Sequence, residues 1–186
     1  MEGFKLMRKF ITMILLLVLM VGCGTKADLS IALVNDLSDE AKTVINDLSG
    51  DFDLYEINYH DEAQALKLEL YHLVDGNWDL IGKVDKRLSH ETNTVTYAFE
   101  VLDGNFIISD LNGDSYIFEL ADFDFDKAQT TRKDRISDKV DLALNEERVI
   151  IAKYAGVNDM AIMPTDAGFK LYQDYSYAYV LTITIN

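Results

Sequence analysis

Apolar residues recur at every second position through much of this chain, and that period limits the possible folds more than any other feature. Leu66, Leu68 and Leu70 alternate with Lys, Glu and Tyr, and residues 95–101 show the same two-residue period. Successive side chains of a strand point to opposite faces, so this alternation indicates strands with one buried face. We therefore predict a mainly β protein.

Turn residues divide the alternating segments. Asp75-Gly76, Asp103-Gly104 and Asn112-Gly113 each lie between two of them, and such pairs supply the positive φ angles that tight hairpins require. The spacing predicts strands over residues 52–59, 64–74, 78–84, 94–102, 105–110, 115–121, 148–154 and 176–185. Seven or eight short antiparallel strands in one domain favour an antiparallel β-sandwich of the immunoglobulin-like sort.

Three segments depart from the two-residue period. Residues 36–50 place apolar residues on one helical face and end at Gly50, which predicts one short N-terminal helix. Residues 127–146 are highly charged and fit either a short helix, with Ile136, Val140 and Leu144 on one face, or an ordered loop. Residues 155–174 are predicted to be a long irregular connection.

The first 22 residues have the order of an export signal. Basic residues at positions 5, 8 and 9 precede an apolar run over residues 10–21. A membrane-spanning helix needs about 20 apolar residues, so this run is too short to be a stable anchor. The only Cys of the chain, Cys23, follows directly.

The stretch Leu19-Met20-Val21-Gly22-Cys23 resembles the lipobox of bacterial lipoproteins. The resemblance implies cleavage before Cys23 and a diacylglyceryl thioether on its sulfur, which would hold the protein at the extracytoplasmic face of the cell membrane. Two or more acyl chains are enough for stable anchoring. The alternative is an ordinary secretory peptide in which Cys23 is incidental.

This resemblance divides the chain into a signal peptide over residues 1–22, a lipidated Cys with a short tether over 23–29, and one domain over 30–186. The tether reaches about 20 Å when fully extended. The segment Leu73-Val74-Asp75-Gly76-Asn77-Trp78 is also similar to strand-turn-strand segments of small Gram-positive lipoproteins of unknown function. That similarity implies no activity.

Charge restricts the partners. The whole chain has a net charge of −15, and removal of residues 1–22 leaves 14 basic and 31 acidic residues, a net −17. Such a surface repels nucleic acid, so we expect no nucleic-acid partner. With one Cys the mature domain has no internal disulfide and depends on its core.

Acidic residues supply the candidate metal site. Asp122, Asp124 and Asp126 alternate with Phe, so on a strand their carboxylates share one side, where Ca²⁺ could bind. The alternative is a solvated strand face. The segment Asp110–Asp114 begins like a calcium loop but lacks the Gly and the Glu required at later positions, so a plain hairpin is the better interpretation.

Aromatic residues supply the candidate binding patch. Trp78, Tyr172 and Tyr175 lie near turns or the irregular connection and could contact a sugar or a protein. The strand tyrosines 177 and 179 share a face with aliphatic residues, which favours the core. The three His residues, 60, 72 and 90, do not have zinc spacing, and His72 is expected to be half-exposed on a strand. We predict no catalytic residue.

Two functions are compatible with these features. The first is a lipid-anchored binding module that contacts a protein or glycan of the cell envelope through residues 155–174. The alternative is an envelope enzyme or a receptor for a small solute or cation, which requires a deep pocket with converging polar groups. No cofactor is expected apart from the lipid on Cys23 and the Ca²⁺ considered above.

Overall fold

The computed structural model describes residues 28–38, 51–74, 76–89, 91–110, 113–120, 130–156 and 177–186. These residues form eleven strands and no helix. The strands are β1 (Ser30–Leu33), β2 (Asp51–Asn58), β3 (Ala65–Val74), β4 (Asn77–Arg87), β5 (Thr94–Leu102), β6 (Asn105–Asp110), β7 (Ser115–Glu119), β8 (Thr130–Arg135), β9 (Val140–Asp141), β10 (Arg148–Gly156) and β11 (Tyr177–Ile185).

The strands form two antiparallel sheets. Sheet A has six strands in the order β7-β6-β5-β2-β1-β9, and sheet B has five in the order β4-β3-β11-β10-β8. One hydrophobic core contains residues from both sheets, so the sheets pack face to face as in a β-sandwich. The predicted mainly β fold with antiparallel sheets is confirmed.

Eight of the strands match the predicted ones. β2 to β7, β10 and β11 lie where the two-residue period placed them, with boundaries that differ by at most three residues. The three hairpins are also present, since β3 pairs with β4, β5 with β6, and β6 with β7. Asp103 and Gly104 have φ angles of 49° and 76°, as a type I′ turn requires.

Three strands, β1, β8 and β9, were missed. The interpretation of residues 127–146 as a helix or an ordered loop is wrong for residues 130–135 and 140–141. Residues 130–135 form β8, and residues 140–141 form β9. Charged residues occupy positions 132 to 135 of β8, so this strand has no apolar alternation to detect. Residues 39–50 of the helix predicted over 36–50 lie outside the described residues. The same holds for residues 157–174 of the irregular connection predicted over 155–174.

The core lies between the inner faces of the sheets and is rich in aromatic residues. Tyr55 and Phe99 of sheet A have ring centroids 5.7 Å apart, and Phe106 meets Tyr179 of sheet B edge to face at 5.5 Å. Tyr177 and Tyr179 are buried, which confirms the predicted core role of the strand tyrosines. β11 is the central strand of sheet B, and both of its faces are buried along its whole length.

The strand directions give the sandwich two distinct ends. We call one the loop end. Strand pairing places Asp51 near Gly104 in sheet A and Gly156 near Tyr177 in sheet B, and the contact of Asp51 with Lys153 of β10 puts these two sheet ends together. We call the other the entry end, because the chain enters β1 there at Ser30, which pairs with Asn58. Residues 39–50, 121–129 and 157–176 each connect described residues that lie at the loop end.

β4 and β7 are edge strands of the two sheets and contact each other on one side of the sandwich. A Cβ atom on Gly82 of β4 would lie 2.6 Å from the ring of Phe118 on β7. Only a residue without a Cβ allows this ring to cover the backbone of β4. Gly82 therefore sets the spacing of the sheets on this side.

We expect Gly82→Ala to destabilise the fold by about 1 to 3 kcal/mol, because the added methyl group forces Phe118 to move. The free energy of unfolding in urea measures this cost. In a Phe118→Ala background the obstruction is gone, so the same substitution should cost much less. An equal cost in both backgrounds would contradict the role assigned to the ring.

Candidate functional site

Five charged residues form an ion-pair cluster between the sheets, in the half nearer the loop end. We define the cluster as Asp51 and Asp53 of β2 with Lys133 and Arg135 of β8 and Lys153 of β10. Lys133 and Lys153 are direct cross-strand neighbours. Because residues i and i+2 of a strand share a face, both Asp residues and all three cations point into the space between the sheets.

The contacts of the cluster are short and shared. The two oxygens of Asp51 accept from Lys133 Nζ and Lys153 Nζ, each at 2.8 Å. Asp53 Oδ2 lies 2.6 Å from Lys133 Nζ, and Asp53 Oδ1 accepts from Arg135. Lys133 thus bridges the two carboxylates, and the cluster joins β2 of sheet A to two strands of sheet B.

Burial and charge oppose each other at Asp51. Burial raises the pKa of its carboxyl, but hydrogen bonds from Lys133 and Lys153 and the positive charges of both outweigh that effect, so the pKa lies below its ordinary value. The carboxylate is therefore ionised at neutral pH. Asp53 is more deeply placed, with a side chain 1% exposed, and depends on its two cations for compensation.

The cluster holds one more positive charge than negative charges, in a chain whose net charge is −15. Its carboxylates are engaged by Lys and Arg, so neither is positioned as a free general base. What the arrangement does is fix β2 against β8 and β10. These strands carry Asp51, Thr130 and Gly156, where connections at the loop end begin or finish.

A second ion pair joins the sheets near the entry end. Lys86 of β4 donates to Asp110 of β6, whose side chain is 1% exposed. Lys86 Nζ also lies 5.8 Å from the centroid of the Tyr97 ring, within cation–π range. Asp110 additionally accepts from the backbone N–H of Asp114 at 3.1 Å.

These contacts involve both ends of the calcium-like segment over residues 110–114, of which residues 111 and 112 lie outside the described residues. Asp110 points into the sandwich and is ion-paired with Lys86, which leaves it poorly placed to bind a cation at the surface. The segment is a hairpin connection between β6 and β7, with Gly113 at a φ of 99°. The hairpin interpretation is confirmed.

The described His residues do not form a site. His72 is buried rather than half-exposed, because it lies on the inner face of β3 opposite Tyr179, and its ring centroid is 5.0 Å from that of Tyr177. Burial lowers the pKa of His72, with Asp79 acting in the opposite direction, so the ring is neutral at pH 7. His60 accepts from the backbone N–H of Glu62 in a turn, and His90 lies outside the described residues.

Of the candidate site residues, only Trp78 lies within the described part. Trp78 is partly buried and packs against a second hydrophobic cluster on the outer face of sheet B, formed by Leu73, Val149, Ala152, Tyr154, Ala178 and Val180. Cys23, Asp122, Asp124, Asp126, Tyr172 and Tyr175 lie outside the described residues. Their roles stay predictions.

Two further results concern metals and membranes. Among the described residues, no group of three or more His, Cys, Asp or Glu side chains is arranged to hold a metal ion. The same residues contain no helix long and apolar enough to cross a membrane.

An open cleft of about 510 Å³ is lined by Asp61, Gln64, Ala65, Arg87 and Leu88 at the entry end.

Sequence reasoning missed the ion-pair cluster. Asp51 and Asp53, like Lys133 and Arg135, are spaced two residues apart, which is the period of one strand face. That spacing indicates like charges on a common face. It cannot show that the face is the inner one, because the acids and bases are about 80 positions apart in sequence and meet only after folding.

Comparison with known proteins adds no identity: no family model, no curated protein and no solved structure matches this chain.

We expect Asp51→Asn to lower the free energy of unfolding at pH 7 by about 1 kcal/mol, since Lys133 and Lys153 lose a charged partner that is partly exposed. Because the pKa of Asp51 in the folded state lies below its ordinary value of 3.8, its contribution is present above about pH 4 and is lost as the pH falls. Urea unfolding of both proteins across the acid range measures the difference.

The matched control is Asp85→Asn. Asp85 pairs with Lys83 on the exposed side of β4 at 2.9 Å, so its loss should leave stability and its pH dependence nearly unchanged. If the difference between wild type and Asp51→Asn persisted undiminished at low pH, the ionised form of Asp51 would not be the source of the stabilisation.

Proposed function

We propose that the protein is a lipid-anchored binding module at the extracytoplasmic face of the cell membrane, which presents its loop end to a protein or glycan of the envelope. One observation carries this proposal. The chain enters the sandwich at Ser30, and the pairing of Ser30 with Asn58 puts this point at the end opposite the loop end. A tether attached there holds the entry end towards the membrane.

Lengths along the chain support this orientation. Leu29 belongs to the core, and its carbonyl accepts from the backbone N–H of Leu142. Only residues 24–28 separate it from Cys23 in the sequence. An extended tether reaches about 20 Å. β3 has ten residues and is about 34 Å long. The loop end therefore lies farther from the lipid than the tether alone can reach.

Convergence of connections at one end supports binding. Residues 39–50, 121–129 and 157–176 all leave and rejoin described residues at the loop end, and long connections on a rigid sandwich are common sites of recognition. They contain the predicted residues Asp122, Asp124, Asp126, Tyr172 and Tyr175. Trp78 follows the β3–β4 turn at the same end.

The alternative, an envelope enzyme or a receptor for a small solute or cation, needs polar groups that are free to act on a ligand. The buried carboxylates of the ion-pair cluster are held by Lys and Arg, and the open cleft lies at the entry end, next to the proposed anchor. These facts favour the binding module. The two packed sheets support a sandwich, and its immunoglobulin-like type stays a prediction.

We expect Cys23→Ser to abolish lipid attachment, because the thioether requires the sulfur. Intact mass and cell fractionation measure the result: the wild-type protein should begin at a diacylglycerylated Cys23 and sediment with membranes, whereas the variant carries no lipid. Thr25→Ser, which keeps the thiol, serves as control. A wild-type protein with a bare sulfur, or with residues 1–22 still attached, would refute the anchor.

Orientation can be measured separately. Asp103→Cys at the loop end and Glu91→Cys at the entry end each add one exposed thiol for a fluorophore, since Cys23 is already modified. We expect quenching by lipids with a quencher in the headgroup to be stronger at position 91 than at position 103. Equal or reversed quenching would show that the loop end does not face away from the membrane.

A further inference from the structure

The two described sheets have four edge strands, and three of them are protected against pairing with another chain. β9 has only two residues. β8 carries the charged run Arg132–Arg135. β4 carries Lys83, Asp85, Lys86 and Arg87 and has a register shift against β3. Short length, charge and bulges are the usual ways in which an edge strand is blocked.

β7 is less protected. Of its five residues only the last, Glu119, is charged, it contains no Pro, and it pairs with β6 in regular register without a bulge. Ile117 is 65% exposed and Tyr116 is 36% exposed. In the part of the chain that the structure describes, no other strand pairs with β7. A regular edge with few charges and exposed apolar side chains is a template for an added strand.

We propose that the free edge of β7 binds an extended segment of another envelope protein, which adds to sheet A as an antiparallel strand. This proposal rests on the proposed function, because it gives the binding module one class of partner. Main-chain hydrogen bonds to β7 would supply affinity, and the alternating side chains would supply specificity.

The membrane orientation argues for a different protein rather than a second copy. β7 runs from the entry end to the loop end, since Ser115 pairs with Ser109 and Glu119 with Asn105. Antiparallel pairing of two β7 strands would invert one copy. Its entry end would then be separated from the shared membrane by a distance comparable to the length of the sandwich, about 34 Å, which exceeds the tether's reach of about 20 Å.

The side chains of β7 define the chemistry of the partner. Ser115, Ile117 and Glu119 share the outer face of sheet A, where Ile117 neighbours Ile107 on β6. An apolar residue of the partner would lie opposite Ile117, and a basic residue opposite Glu119. Asp114, exposed just before β7, favours a second basic residue. The expected segment therefore has an apolar centre and basic ends.

The synthetic peptide Lys-Val-Ile-Tyr-Thr-Lys is a suitable probe, because in antiparallel register its Lys residues lie opposite Glu119 and Asp114 and its Ile opposite Ile117. We expect it to bind the full-length protein in detergent and to shift the amide NMR signals of Ser115–Glu119 and slow their hydrogen exchange. Ile117→Lys should weaken binding about tenfold, because it places like charges near one another on the edge.

Leu80→Lys is the matched control. Leu80 is 51% exposed on β4, the other edge strand on the same side, so binding should stay within about twofold of wild type. Thermal unfolding of both variants checks that the fold is kept. A second control peptide, Glu-Val-Ile-Tyr-Thr-Glu, should bind at least about tenfold more weakly.

Several outcomes would overturn the proposal. They are shifts confined to residues outside 115–119, no binding of the Lys peptide, equal binding of the Glu peptide, or equal effects of Ile117→Lys and Leu80→Lys. Self-association of the full-length protein through β7, measured by sedimentation and abolished by Ile117→Lys, would identify a second copy as the occupant instead. None of these results depends on the lipid at Cys23, so they are distinct from failure of the anchor.

Discussion

The sandwich depends on two buried carboxylates of sheet A that meet cations of sheet B. Asp53 and Asp110 are almost fully buried, and each would be costly to bury without Lys or Arg beside it. Apolar contacts between the inner faces hold the sheets together but tolerate sliding, because hydrophobic attraction is not directional. The ion pairs, one nearer each end, tolerate only one register. They therefore fix the relative position of the sheets.

That fixed register determines what each end of the molecule presents. The ion-pair cluster holds β2, β8 and β10 where connections enter and leave the loop end, while the pair formed by Lys86 and Asp110 lies towards the entry end. Connections at one end of the sandwich and the entry of the chain at the other are compatible with the display that we propose. β7 runs between the two ends, and no other described strand pairs with its outer edge.

Particular elements show how far the sequence could be interpreted alone. β3, β5 and β11 were predicted because their aliphatic and aromatic residues alternate or run continuously, and burial enforces that pattern. β8 was missed because its inward positions carry Lys133 and Arg135, which resemble a solvated surface until their acidic partners are known. β1 and β9 are too short to show a period. His72 was expected to be half-exposed, although it continues the two-residue period of Leu66, Leu68 and Leu70 and therefore lies on their buried face.

The sequence by itself determined the strands with apolar alternation and the strongly acidic charge. It also determined the three hairpins, which are marked by Asp75-Gly76, Asp103-Gly104 and Asn112-Gly113. These are properties of neighbouring residues, and local geometry is enough to encode them. Tertiary structure alone decided which strands share a sheet, and that Asp51 and Asp53 meet Lys133, Arg135 and Lys153. It also decided that, among the described strands, only β6 pairs with β7. Those features join residues far apart in the chain, and such contacts exist only once two sheets have packed.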